Sequence, residues 1–329
     1  MAAEEAAQEG STRAVLAALG ANLGIAVTKL AAFLITGSAS MFAETLHSLA
    51  DTCNEVLLLV GRHRSVRRRT PQHPFGFGRE RYLYAFVVAV MLFTVGGVLS
   101  GYEGVQKIFH PGKVETPAVA FGVLAIAICL EGFSLRTAVK NASAARAGRS
   151  WWEFIRRAKA PELPVVLLED TAALAGLIVA LAGVSLAVIT GDEAWDGAGS
   201  LVIGVLLGIV AIVLAGEMKS LLIGESASLA AQQAIVAALE DGPEIDRVIH
   251  LRTVHISPDS LLVAAKIAVP PLSTAAQIVK GIDAAERRVR TMVPEAEVIY
   301  LEPDLYQHAL HDATDPAIRA ARHPDGPDR

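Results

Sequence analysis

Three ionisable side chains stand inside an apolar segment of this sequence: Glu44, His47 and Asp51, in the stretch SMFAETLHSLADTCN. A helix turns about 100° per residue, so spacings of three and four put all three on one stripe. An imidazole and a carboxylate one turn apart form a two-armed claw for a borderline divalent metal such as Zn²⁺. Ionisable groups inside a membrane span are costly and mark ion or proton pathways. A polar seam that only packs helices together is the competing account of the stripe.

Other apolar segments carry Lys29, Glu131 and the adjacent Glu169 and Asp170. Neighbours on a helix point about 100° apart, so only one of Glu169 and Asp170 is expected to share a metal with the His47 segment. Glu131 reads as a group buried among helices, a proton relay or a partner of metal ligands. Lys29 either snorkels or pairs with an acid.

The elements that must position these groups are long and apolar. Of the 329 residues, 53% are hydrophobic, and the mean hydropathy of +0.44 exceeds that of an ordinary soluble domain. A bilayer core of about 30 Å needs about 20 apolar residues per helix. Segments of that kind lie at residues 13–36, 38–61, 82–109, 117–139, 163–189 and 197–222, with a short turn at Gly37 and a stop at Pro111 and Gly112. The net charge of −5 decides little; its distribution decides orientation. Arg62, Arg64, Arg67, Arg68, Arg69, Arg79 and Arg81 lie between the second and third segments. Lys140, Arg146, Arg149, Arg156, Arg157 and Lys159 lie between the fourth and fifth. The opposite loops hold Lys107 and Lys113, then Asp192 and Glu193. Basic loops stay cytoplasmic, which puts both chain ends inside and Trp195 at the outer interface.

The N-terminal stretch MAAEEAAQEGSTR is acidic and lacks a signal peptide's basic region, so the first apolar segment reads as a retained helix. Cys53 and Cys129, both in apolar runs, read as small buried residues rather than a disulfide framework. The stretch WWEFIRRAK, residues 151–159, is too short to span. It either lies flat on the inner leaflet or forms a solvated loop helix.

After Gly224 the composition changes. Residues 229–240 read as an amphipathic helix, 248–256 and 261–269 as strands around a turn at Pro258, 274–292 as a helix and 297–301 as a strand. The order α-β-β-α-β predicts a small two-layer domain. His250 and His255, five apart on a strand, face opposite sides and do not share a metal unaided. The Pro-, Asp-, His- and Arg-rich end, with His308 and His311, is expected to be disordered. The expected organisation is a cytosolic tail (1–12), a six-helix all-α membrane bundle (13–224), a ferredoxin-like α+β cytosolic domain that dimerises (225–306) and a disordered tail (307–329).

Six helices, both ends inside, HSLAD in the second span and an α-β-β-α-β tail together resemble the cation diffusion facilitator family. TGSASMFAETLHSLADTCNEVLLL, HPFGFGRERY, EG in the fourth span, VLLEDTAALAGL in the fifth and DGAGSLVIGVLLG in the sixth resemble the divergent branch that includes the mitochondrial zinc transporter of animals. The resemblance implies a homodimer that exchanges cytosolic Zn²⁺, or a similar divalent ion, for external protons by alternating access. It implies ligand pairs on the second and fifth spans. His47 and Asp51 match the first pair. In the fifth span Asp170 matches, but Val166 stands where the other ligand is expected, and valine cannot ligate. Glu44, Glu169, the more remote Glu131 or water are the candidates for the fourth position. Oxygen-richer ligation would weaken selectivity for Zn²⁺ over Mn²⁺, Fe²⁺ or Co²⁺.

Three functions compete. A proton-coupled metal exporter, not an enzyme, uses the fact that protons and metal compete for imidazole and carboxylates. A metal-binding-deficient scaffold or sensor accommodates the missing ligand. An intramembrane metallohydrolase needs a paired-histidine motif such as HExxH, and His47 is the lone histidine of the expected spans. A P-loop for ATP-driven pumping is also missing from the sequence. The expected partners are the lipid bilayer, divalent ions, protons and a second copy of the chain, with no nucleic acid. The alanine-rich composition favours a bacterial cytoplasmic membrane over the mitochondrial inner membrane.

Overall fold

The computed structural model describes residues 2–37, 39–110, 117–146, 148–192 and 194–306. The chain divides into two compact units, before and after the Leu222–Ile223 bond.

The first unit is helical. Helix α1 runs Ala2–Thr36 and α2 runs Ala39–Ser65. Helix α3 (Glu80–Met91) continues through a π-helical stretch (Leu92–Leu99) into α4 (Ser100–Phe109) as one 30-residue span. Then come α5 (Pro117–Arg146), the short α6 (Trp151–Arg157), α7 (Glu162–Thr190) and α8 (Ala194–Ile223). Between α1 and α2, Gly37 adopts φ +67° while its N–H donates to the Phe33 carbonyl at 2.7 Å. A side chain there would be strained, so glycine makes the tight reversal possible.

Five of the expected spans are long and apolar enough to cross a membrane: Gly10–Thr36, Glu80–Phe109, Pro117–Arg146, Glu162–Thr190 and Ala194–Ile223. Helix α2 has the length, 27 residues, but not the apolarity, because its stripe of acids and its basic last turn lower it. It lies between α1 and α3 instead of relying on its own hydropathy. Large apolar side chains such as Leu34, Phe133, Ile189 and Ile212 point outward, as a surface covered by lipid requires. The chain is a multi-pass membrane protein.

Helix α1 packs against α2, α5 and α7, and α5 against α7. The span of α3 and α4 meets α8 through glycines. A Cβ on Gly104 would stand 2.6 Å from the Leu201 nitrogen, and one on Gly204 would stand 2.6 Å from the Gly101 nitrogen. Backbones approach this closely only where side chains are missing.

Two expectations change here. Cys53 and Cys129 are exposed on the outside of the bundle, not buried. In a membrane span an apolar run faces lipid as readily as the interior, so apolarity alone does not imply burial. The 151–159 stretch is docked on the bundle rather than free in solvent. Phe154 and Ile155 are buried in the bundle core, Ser150 caps α6 by accepting from the Glu153 N–H, and Arg146 covers the Trp151 ring at 4.5 Å.

The second unit follows the expected order: α9 (Leu229–Glu240), β1 (Arg247–Ser257), β2 (Ser260–Ala268), α10 (Ala275–Met292) and β3 (Ala296–Asp304). The sheet order is β1-β2-β3, with β1 antiparallel and β3 parallel to the central β2. Helices α9 and α10 pack on each other and on the sheet around Ile235, Leu239, Leu251, Leu261 and Ile267. Ser228 caps α9, and Thr274 with Gln277 forms a capping box on α10. His255 is buried while His250 is half-buried, with a bulge in the strand between Val248 and His250. The tail with His308 and His311, the stop at Pro111 and Gly112, Lys113 and Glu193 lie outside the described residues.

Candidate metal-transport site

Helices α1, α2, α5 and α7 position the polar groups around a cavity of about 540 Å³. Its walls begin near helix ends at Met41, Lys107, Val119 and Asp196 and reach inward to Asp51, Glu131 and Glu169. All four of those ends belong to the face opposite the arginine-rich loops. Towards the basic face the bundle is filled by Leu58, Tyr82, Ala85, Val165 and Val166. The cavity is therefore blind, reaching mid-bundle from the face opposite the basic loops.

The stripe on α2 lies along this cavity. Glu44, His47 and Asp51 all line it. His47 Nε2 stands 3.8 Å from Asp51 Oδ2, and the two side chains are 25% and 28% exposed, so an ion in the cavity reaches both. Glu44 accepts from Lys29 Nζ at 2.7 Å. Lys29 thus pairs with an acid across two helices. Its ammonium partly occupies Glu44, one candidate for the fourth ligand. At the cavity mouth Lys107 donates to Asp196 at 2.8 Å.

The acids of α5 and α7 are more deeply set. Glu131, Glu169 and Asp170 are all buried, Glu131 and Glu169 at the cavity wall. As their adjacency implies, Glu169 and Asp170 diverge. Glu169 accepts from Asn54 on α2 at 2.8 Å, whereas Asp170 accepts from Ser134 on α5 at 2.6 Å. Val166 is fully buried in the apolar core. Among the described residues no three His, Cys, Asp or Glu side chains converge on a metal-sized point. His47 and Asp51 are brought together, and Asp170 is held towards Ser134.

Several groups escaped the sequence reading. Glu55 is fully buried and accepts from Asn22 of α1 at 3.1 Å. It lies four residues past Asp51, so the same helical spacing that marked the stripe extends to it. Arg81 reads in sequence as one more loop charge, yet it is buried and grips Glu162 through two bonds, of 2.6 and 2.8 Å. No spacing rule connects positions 81 residues apart; only packing of α3 against the start of α7 does so.

Residues 15–223 match the cation efflux transmembrane domain. The chain is 39% identical over 224 residues to the proton-coupled zinc antiporter SLC30A9, mitochondrial, of Homo sapiens, covering 68% of this chain and 39% of that protein. It is 31% identical over 259 residues to metal tolerance protein C4 of Arabidopsis thaliana, covering 78% of this chain and 57% of that one. It is also 31% identical over 126 residues to zinc transporter ZitB of Yersinia pseudotuberculosis, covering 37% and 40%. The chain thus spans less than two thirds of the length of each of these relatives. The family match covers most of the first unit, including the cavity and the stripe on α2. On that match the chain belongs to the cation efflux family, the cation diffusion facilitators, a family of membrane transporters.

Proposed function

We propose that this chain exports a divalent metal cation, Zn²⁺ before others, in exchange for protons by alternating access. The observation that carries the reading is the His47–Asp51 pair, one turn apart on the wall of a blind cavity. An imidazole and a carboxylate bind a divalent ion only when deprotonated, so protons entering from the open face release it. Asp170 completes the ligand set after leaving Ser134, with Glu131, Glu169 or Glu44 in place of the ligand that Val166 cannot supply. In this reading the cavity is the outward-open state, and the packed region around Tyr82 is the closed inner gate. Two copies associate through their C-terminal α+β units. The membrane is a bacterial cytoplasmic membrane, with both termini inside.

A second reading rests on a specific observation: Asp170 is bound to Ser134 and no third ligand joins His47 and Asp51 among the described residues. It makes the chain a metal-free scaffold. Zinc uptake into proteoliposomes under a pH gradient separates the two. Transport predicts uptake that collapses with the gradient and is lost in Asp51→Ala. If the purified protein moves no divalent metal and Asp51→Ala behaves like the parent, the exporter reading is wrong.

A further inference from the structure

The loop between α2 and α3, residues 66–79, is built rather than loose. Thr70 and His73 exchange backbone hydrogen bonds of 3.3 and 3.0 Å, and the Thr70 hydroxyl accepts from the His73 N–H at 3.1 Å. Gly76, at φ +85°, donates to the His73 carbonyl at 3.0 Å, and the rings of His73 and Phe77 lie 4.6 Å apart. This frame turns an ill-assorted set of side chains outward. Val66 is 78% exposed and Phe75 44%, and between them in sequence Arg67, Arg68 and Arg69 are exposed. No Asp or Glu stands between Arg62 and Arg79 to balance the arginines. On α6, the neighbouring basic element, the charges are matched: Arg156 pairs with Glu217 at 3.4 Å and Arg157 with Glu153 at 3.0 Å.

Helix length sets the depth of this loop. The span of α3 and α4 has 30 residues, about 45 Å at a rise of about 1.5 Å per residue. A bilayer core is about 30 Å thick, and about 40–45 Å with its headgroup layers. The span therefore ends among the headgroups, and α2 reaches the same level at its basic last turn. A loop tied at both ends to spans stays in that layer. There Val66 and Phe75 meet acyl chains, while guanidinium groups hold phosphate oxygens through paired N–H donors. On a zwitterionic lipid the phosphate is balanced by the lipid's own ammonium. A positive surface without acids of its own therefore favours lipids of net negative charge. Because the loop is already folded, little ordering opposes binding.

We propose that the 66–75 surface binds anionic phospholipid headgroups of the leaflet on the basic side, with Arg67 and Arg68 on the phosphates and Val66 and Phe75 at the acyl boundary. This surface is separate from the cavity, which opens on the opposite face of the bundle.

The test uses the full-length protein in phosphatidylcholine vesicles that carry a spin-labelled lipid, whose electron paramagnetic resonance separates lipid held by the protein from free lipid. The parent is expected to hold spin-labelled phosphatidylglycerol at least about threefold more strongly than spin-labelled phosphatidylcholine. Arg67→Gln/Arg68→Gln is expected to remove at least about half of that preference. Arg156→Gln/Arg157→Gln takes two arginines from the same face, but these already have acids, and the preference should stay. Should the first double variant aggregate, Arg68→Gln alone takes its place, with a smaller loss in the same direction. A parent without preference, a preference that survives the loss of Arg67 and Arg68, or an equal drop in the Arg156 and Arg157 variant overturns the proposal. So does displacement of the lipid by inorganic phosphate beyond that caused by chloride of equal ionic strength, since the surface would then take free anions instead of headgroups.

Discussion

Removing one partner of the Arg81–Glu162 pair tests whether the basic end of the bundle is sealed. Both bonds are short, 2.6 and 2.8 Å, and the side chains are 6% and 2% exposed, so solvent screens little of the interaction. Glu162→Ala leaves a guanidinium buried without its carboxylate. Breaking a buried pair in this way costs about 3–5 kcal/mol. That corresponds to roughly a hundred- to several-thousand-fold shift towards the unfolded state at about 1.4 kcal/mol per tenfold. The paired replacement Arg81→Met/Glu162→Leu removes both charges and both desolvation costs, so most of the loss is expected to be recovered. The assay is reversible unfolding in mixed micelles at rising SDS fraction, comparing the parent, both single variants and the double. A single-variant loss below about 1 kcal/mol, the range of solvated pairs, would mean that water reaches Arg81 and that this end is open. A double variant no better than the singles would mean that the two residues act separately.

Three further outcomes follow from the geometry. Gly104→Ala places a methyl 2.6 Å from the Leu201 nitrogen and 2.7 Å from the Gly197 carbonyl. Overpacking of this kind costs about 1–3 kcal/mol, so both melting temperature and zinc uptake should fall. Gly122→Ala, with nothing within 4 Å, should change neither. Lys29→Met removes the ammonium bonded to Glu44 and leaves the cavity one charge more negative. The KM for metal uptake should fall, and an unchanged or higher KM would show that Lys29 does not oppose the incoming cation. In the second unit, burial raises the Glu244 carboxyl, but the Arg288 hydrogen bond, a backbone hydrogen bond and the Arg288 charge together outweigh it, and the net value lies below the ordinary 4.5. A lowered folded value stabilises above the unfolded one and is lost as pH falls below 4.5 through the folded value. Hydrogen-exchange protection in β2, corrected for the intrinsic rate, should therefore fall with acid over that range, and Arg288→Ala should flatten the dependence.

Much of the architecture was legible from the chain alone because its signals are local. Long apolar runs made α1, α5, α7 and α8 readable as spans, and period-2 and helical patterns gave the order α-β-β-α-β. The stripe on α2 was legible for the same reason: a helix converts spacing into direction without help from the rest of the fold. It could have been followed one turn further to Glu55. Cys53 and Cys129 were misread because hydropathy reports that a residue avoids water, not whether lipid or protein covers it.

Local chemistry of the chain set the spans, the polarity of their loops, the α+β unit and the one-turn spacing of Glu44, His47 and Asp51, since each depends on only a few neighbouring residues. Tertiary structure alone decided which acids share a neighbourhood. It turned Glu169 towards Asn54 and Asp170 towards Ser134, joined Lys29 to Glu44 and Arg81 to Glu162, and left the cavity blind at the basic end. Those pairings depend on how helices rotate and cross, and rotation is fixed by packing across the bundle, which no single segment encodes.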